Sequence, residues 1–278
     1  MLQNVVNFLK QELEQFVTFS KIEWQKVLTY RMSVFTYRVG QMLEIIILVS
    51  MWIFIYGAGS GLIKGYTMNE MITYVLMGSL FSAMSFNLIW GTISRAIEKG
   101  DLSLFLVKPV SYVKYQFYSE FGGWSINVIA STMAHLAVIS LFIDKVIFNT
   151  DIRTIFVILV MVFLTIFIEI LIGLLIGFIA FWSEGEVGGF QNLAMIIKKF
   201  FSGVYFPLSL LPASLSFIGF YLPFAYSFFV PAQIYLGKIG IDMAWRGIGI
   251  QLIWIIILSI LVKIVWKKGL KKYEAVGA

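Results

Sequence analysis

The side chains in this sequence that could do chemistry are few, and their spacing excludes more than it offers. His135 is the sole histidine and cysteine is absent, so multi-histidine zinc chemistry, thiolate metal sites and disulfides are ruled out, while the redox compartment is left open. A phosphate-cradling loop needs two glycines at fixed spacing followed by Lys and then Ser or Thr. Gly237-Lys238 is followed by Ile239 and lacks the upstream glycine, so the chain does not bind ATP by that motif. No Gly-x-Ser-x-Gly elbow supplies a nucleophile for which His135 would be the base. No enzyme signature remains. What is left are polar groups inside apolar runs, where an ionisable side chain costs about 3 kcal/mol on insertion scales and seldom faces lipid. Glu169 lies near the middle of one such run. It either lines a substrate route or binds a cationic substrate there, or is a protonated or paired glutamate that fixes helix packing. His135, Asn127 and Asn87 read as interhelical hydrogen-bonding groups and as pathway candidates. Glu44 reads as snorkelling or paired with a nearby cation, and Lys198 and Lys199 as reaching toward headgroups.

The elements that must carry these groups are membrane helices. Apolar residues make up 60% of the 278 positions, charged ones 13%, and mean hydropathy is +0.90, beyond what a soluble core of this length requires. Six apolar runs have spanning length, approximately 37–56, 71–93, 121–143, 154–182, 187–211 and 247–266. The expected fold is therefore an all-α integral membrane protein of six transmembrane helices. The fifth run is the doubtful one, because it holds Lys198, Lys199 and Pro207. The stretch 208–231 is apolar but contains Pro212, Pro223 and Pro231, which suits a broken re-entrant segment between spans five and six. Ahead of the first span, Leu13, Phe16, Val17, Trp24, Val27, Leu28, Met32 and Phe35 recur at helical spacing, so 1–36 reads as an amphipathic interfacial helix. Residues 1–12 hold no uninterrupted apolar region of the length a cleaved signal needs, so the N-terminus is expected to be retained. Gly173 and Gly177 form a small-xxx-small pair that permits close helix approach. Trp52, Trp90, Trp124, Trp182 and Trp266 fall mostly toward span ends, as interfacial belts do.

The polar interruption at 94–118, between the second and third runs, stands out. Arg95, Glu98 and Lys99 end a short helix at Gly100, Asp101 is placed to cap a second turn, and Pro109 forbids further helix. That second turn carries Leu102, Leu104, Phe105 and Leu106, an apolar surface that needs a cover, either a partner or the chain itself. Lysine and arginine concentrate in the N-terminal segment, in this loop (Arg95, Lys99, Lys108, Lys114) and in the basic tail 267–278. The other loops hold only Lys64, then Lys145 and Arg153, then Lys238 and Arg246. That imbalance puts both termini and the loop on the cytoplasmic side and requires an even number of spans. The net charge of +6, clustered beside apolar runs, suits anionic lipid headgroups rather than nucleic acid.

Several stretches in order resemble the permease subunits of type-two ATP-binding-cassette (ABC-2) exporters, in particular a six-span bacterial branch. They are Gly65-Tyr66-Thr67 with Glu70-Met71 and Tyr74-Val75-Leu76, Gly100-Asp101-Leu102 with Lys108-Pro109-Val110-Ser111-Tyr112, Leu222-Pro223-Phe224-Ala225-Tyr226 with Pro231 and Tyr235-Leu236-Gly237, and the tail from Trp266 to Tyr273. The resemblance covers nearly the whole chain. It implies a transmembrane domain over 37–266 in a bacterial cytoplasmic membrane, paired with a second permease, identical or diverged, and with two copies of a separate ATPase. ATP and magnesium would sit on that ATPase, with no cofactor on this chain. The resemblance further implies that the first cytoplasmic loop is a coupling element, assigning ATPase contact to Arg95, Glu98, Lys99, Gly100, Asp101, Leu104, Phe105 and Leu106, and an outer gate to Pro207, Pro212, Pro223 and Phe224. Two rivals are weaker. A self-sufficient secondary transporter would show a repeat between the first three and last three spans, and a membrane-embedded enzyme would cluster its polar residues near one leaflet. Neither pattern is seen.

Overall fold

The computed structural model describes residues 2–59, 61–85, 89–183 and 187–276. Of the described residues 84% are helical, and none lies in a strand. Helix α1 (Leu2–Thr29) is followed after Tyr30 by α2 (Arg31–Gly57). Then come α3 (Met68–Met84), α4 (Ile89–Glu98), α5 (Asp101–Leu106), α6 (Tyr112–Leu141) and α7 (Ile152–Phe178). The last part holds α8 (Val187–Ser202), α9 (Ala213–Tyr221), α10 (Phe229–Tyr235) and α11 (Ile241–Val276). Side-chain caps set several starts: Thr67 and Glu70 form a reciprocal capping box on α3, and Asp151 accepts from the Arg153 and Thr154 backbone N–H groups of α7.

Among the described residues four helices are long and apolar enough to cross a membrane: α2, α6, α7 with the turn after it, and α11. A fifth results if α3 and α4, bent by 41° to one another, count as one broken span. The expected second run, 71–93, is thus divided between two helices. The expected fifth, 187–211, is not one spanning helix: α8 has 16 residues and stops at Ser202. The cause is Gly203, whose φ of +81° breaks the helix and whose missing side chain makes room for Tyr74. The Tyr74 hydroxyl donates to the Gly203 carbonyl at 2.6 Å. From there to α10 the chain runs through the turn Leu208–Leu210, the nine residues of α9 and the turn Pro223–Ser227, with no helix long enough to span. The last run is longer than expected, since α11 extends over 36 residues.

The N-terminal helix does more than present an apolar stripe. Its side chains seat on α6: Phe16 meets Tyr118 and Phe121 with ring centres 5.7 and 5.9 Å apart, Phe19 meets Tyr115 at 4.9 Å, and Trp24 Nε1 donates to the Gly122 carbonyl at 3.2 Å. Gly122 permits this approach, because a Cβ there would lie 2.5 Å from the Ser20 Cα. Leu13 and Leu28 of the same stripe stay exposed. Glu12 fastens the seat by pairing with Lys114 and accepting from the Tyr118 hydroxyl at 2.5 Å. Those bonds, Lys114 first, hold its carboxyl below the usual carboxylate range. A depressed carboxyl contributes stability that is present above the ordinary carboxylate pKa and is lost as pH falls through the depressed value. The protection of α1 amides, that is their exchange relative to the intrinsic rate at each pH, is therefore expected to be constant from neutral pH down to about pH 5 and to fall toward about pH 3. In Glu12→Gln that acid-dependent step should be absent; if it persists unchanged, Glu12 is not the fastening group.

Two apolar cores position the functional regions. One joins α2, α3, α7, α10 and α11 around Val49, Met71, Tyr74, Val75 and Met161. The other joins α4, α5, α7 and α11 around Ile89, Ile93, Leu102, Leu174 and Phe178. Gly177 lets α4 lie close on α7, since a Cβ there would fall 2.8 Å from Ile93 Cβ and 3.1 Å from the Trp90 carbonyl oxygen.

Candidate functional site

The α4–α5 turn is built by Gly100. Its φ of +81° lets it end α4, with its N–H donating to the Ile97 carbonyl, and begin α5 at once. Asp101 is not the cap expected from sequence: Gly100 occupies that place and Asp101 is the first residue of α5, where an acidic side chain suits the helix N-terminus. The turn is seated from below. Leu102 is fully buried and belongs to the core with Ile97 and Phe178, so it is not part of an exposed surface. Phe105 is half-buried, with ring centres 5.1 Å from Tyr112 and 4.8 Å from Tyr115, and Lys108 Nζ lies 5.1 Å above it. Tyr112 stacks on Trp266 of α11 at 5.5 Å, and the Tyr273 hydroxyl donates to the Gly100 carbonyl at 3.1 Å. Seated this way, the turn leaves Leu104 68%, Leu106 40% and Val107 84% exposed. Arg95, Glu98, Lys99 and Asp101 are exposed around them, with Arg95 Nε donating back to the Gly91 carbonyl at 2.7 Å. Val107, the most exposed of these apolar side chains, was not singled out in the sequence, because it lies one residue past the helical pattern that drew attention to the others.

The polar groups inside the bundle form pairs. Lys198 Nζ meets Glu169 Oε2 of α7 at 2.6 Å, and Lys199 Nζ meets Glu44 Oε1 of α2 at 2.6 Å. Consecutive helical residues point about 100° apart, so two adjacent lysines let one short helix grip two neighbours. Neither lysine is left to reach for headgroups. Arg38 of α2 is buried and donates to Gln41 Oε1 at 2.5 Å and to Asn127 Oδ1 of α6 at 2.9 Å. His135 is buried with Nδ1 2.8 Å from the Ser131 carbonyl of its own helix. Asn87 lies outside the described residues.

Two cavities flank the pairs. The larger, about 440 Å³, is lined by α2, α3, α6 and α8 and includes Gln41, Glu44, His135, Lys198 and Lys199. The smaller, about 240 Å³, includes Trp90, Glu169, Gly173, Gln191, Lys198 and Phe224. His135 and Glu169 are thus not brought to one site, Asn127 lines neither cavity, and Lys198 lines both. Sequence reasoning passed over Lys198 and Lys199 as members of a site. The available signal was the equal number of acids, Glu44 and Glu169, placed in other apolar runs.

At the opposite end from the α4–α5 turn, the proline-containing segment is tied to the 61–67 loop. Pro207 precedes the turn Leu208–Leu210, Pro212 precedes α9 and Pro223 opens the next turn. The Tyr66 hydroxyl lies 3.0 Å from Ser209 Oγ and donates to Gln233 Oε1 at 3.0 Å. Lys64 Nζ donates to the Leu210 carbonyl at 3.0 Å, and Lys238 pairs with Glu70 at 2.8 Å. Among the described residues no group of three or more His, Asp or Glu side chains is arranged to hold a metal ion.

Residues 41–277 match a family model described as ABC-2 family transporter protein, which takes in α2 from Gln41 and every element after it. Comparison with curated proteins finds no match.

Proposed function

The chain belongs to the ABC-2 transporter family, whose members are multi-pass membrane permeases that normally work with an ATPase partner, and from that premise we propose an ATP-driven exporter of which this is the permease half. In this reading it pairs with a second permease, identical or diverged, in a bacterial cytoplasmic membrane and engages two copies of a separate ATPase. ATP and magnesium belong to that ATPase. Both termini and the α4–α5 turn face the cytoplasm, in keeping with the lysine and arginine distribution. The segment 208–231, with Pro207, Pro212, Pro223 and Phe224, closes the outer side, and the tie from Tyr66 to Ser209 and Gln233 supports that assignment.

The observation that carries the proposal is the shape of the α4–α5 turn. Leu102 and Phe105 fix it to the body of the protein, while Leu104, Leu106 and Val107 stand clear of it amid exposed charges. A firmly seated apolar knuckle with a polar rim is what a protein contact requires. Closure of the ATPase dimer would press on that knuckle. The push would pass to α4 and α7 through Leu102 and to α11 through the Tyr112–Trp266 stack and the Tyr273–Gly100 bond. The permeases would then tilt and change access to the cavities between their helices.

Leu104→Asp tests this directly. The side chain is exposed, so the substitution leaves the chain's own packing intact, whereas Phe105→Asp would also tear the aromatic seat beneath the turn. Membrane insertion should be unchanged and co-purification of the partner ATPase reduced by about tenfold or more, the loss typical of a charge buried in an interface centre. Unaltered co-purification would remove the turn from the mechanism.

A further inference from the structure

We propose that the larger cavity is a binding site for a single-chain amphiphile with an acidic head, a carboxylate or a phosphate monoester. The cavity, at about 440 Å³, has the size of a small-molecule site. Its lining is mixed: Glu44, Lys198 and Lys199 contribute charges, Ser79 and His135 uncharged polar groups, and Leu48, Val204 and Phe228 apolar surface. Along α2 the apolar Leu48 follows Glu44 by one turn, and after α8 Val204 follows Lys199 by five residues.

The sign of the head follows from the charges. Two ammonium groups and one carboxylate line this cavity, because Glu169 approaches Lys198 from the smaller cavity behind it. An ammonium has three N–H donors. The ammonium groups of Lys198 and Lys199 each give one to a glutamate oxygen and make no other hydrogen bond among the described residues. Among the described residues, four ammonium donors are thus left beside a cavity whose wall also carries Gln41, Ser79 and His135, and a charge-assisted bond to them is strong. An acidic group placed there would meet unused ammonium donors on the lysines that line the cavity without displacing either glutamate. A cationic head would have to compete with Lys199 for Glu44. The Glu44 side chain is 51% exposed, so the head end opens at the surface between α2 and α8, and an amphiphile dissolved in the bilayer reaches it sideways. That this ligand is cargo rests on the permease reading; that it binds does not.

The test uses the full chain in phosphatidylcholine nanodiscs, with equilibrium binding of dodecanoate, methyl dodecanoate and dodecyltrimethylammonium measured against empty nanodiscs. Dodecanoate should bind about tenfold more tightly than either of the others, and Lys199→Gln should remove that advantage while leaving the ester unchanged. Lys199→Arg should keep it. The Lys199–Glu44 pair is partly exposed, so Lys199→Gln folds normally, and an unchanged thermal midpoint checks this. Equal binding of acid and ester, stronger binding of the cation, or an unaffected Lys199→Gln variant would overturn the site. With the ATPase partner present, dodecanoate binding that leaves ATP turnover unstimulated would overturn the cargo role and uphold the site.

Discussion

Lys198→Ala is expected to lower the unfolding free energy by about 3 kcal/mol, the range seen when one member of a buried ion pair is removed. Its partner Glu169 has only 8% of its side chain exposed, and the wall around it is made of Trp90, Ile172, Ile176 and Phe224. Without the ammonium, that carboxylate either remains charged in an apolar surround or takes up a proton, and both outcomes weaken the fold. The double variant Glu169→Gln with Lys198→Met should recover most of the loss, because it leaves no charge to desolvate. Reversing the pair, with Glu169→Lys and Lys198→Glu, should recover part of it. The neighbouring lysine supplies the contrast: Lys199 and Glu44 are 34% and 51% exposed, and Lys199→Ala should shift stability by less than about 1 kcal/mol. Denaturation in mild detergent measures all four. If the two single lysine variants lose stability equally, the inner pair is no more than a surface contact.

Gly122→Leu is expected to lift α1 from α6. The Ser20 backbone is so close that even the first carbon of a side chain would fall 2.5 Å from its Cα, and backbone cannot rotate out of the way as a flexible side chain can. Overpacking of this kind costs about 1–3 kcal/mol, and here it would act on a helix held by a few aromatic contacts and the Glu12 pair. Phe16, Phe19 and Trp24 would lose their partners together. Limited proteolysis should then cut α1 at least several-fold faster, with α6 and α7 still protected. Gly123→Leu is the control one residue away, where the nearest atom is Glu23 Cβ at 3.8 Å and a side chain can be accommodated. Equal protease sensitivity of the two variants would mean that α1 is not seated through Gly122.

The contrast between those two glycines shows where the sequence stopped being legible. Helical class and most of the apolar runs could be read from composition and period, and the stop at Gly100 from its place after Lys99. Nothing along the chain distinguishes Gly122 from Gly123, because the difference is made by a helix about 100 positions away. The fifth run looked long enough to span, yet Gly203 ends α8 to admit Tyr74, a contact between distant segments. In the α4–α5 turn the residue types were apparent but their directions were not: with only six residues, α5 shows too little periodicity to separate buried Leu102 from exposed Leu104. The lysines of α8 were visible as charges in an apolar run. Their partners, 29 and 155 residues away, could be matched only in three dimensions.

Helix α11 has a mechanical consequence. Its 36 residues contain no proline and extend about 54 Å, far more than a bilayer's hydrocarbon thickness. Trp254 Nε1 donates to the Tyr221 carbonyl at 2.7 Å partway along, and Gln251 Nε2 bonds the Met161 carbonyl and Thr165 Oγ1, both at 2.9 Å, so the rod is pinned to its neighbours near that level. From there it is about 28 Å to Tyr273 at one tip and about 20 Å to Ile241 at the other. The longer arm is held as well, by buried Leu258 and Val262 and by Trp266, whose ring centre lies 5.1 Å from Phe178 and 5.8 Å from Phe181, so it would move together with the end of α7. A displacement at Gly100, bonded to Tyr273, would therefore be carried along α7 and α11 as one stiff pair toward the level of Trp254.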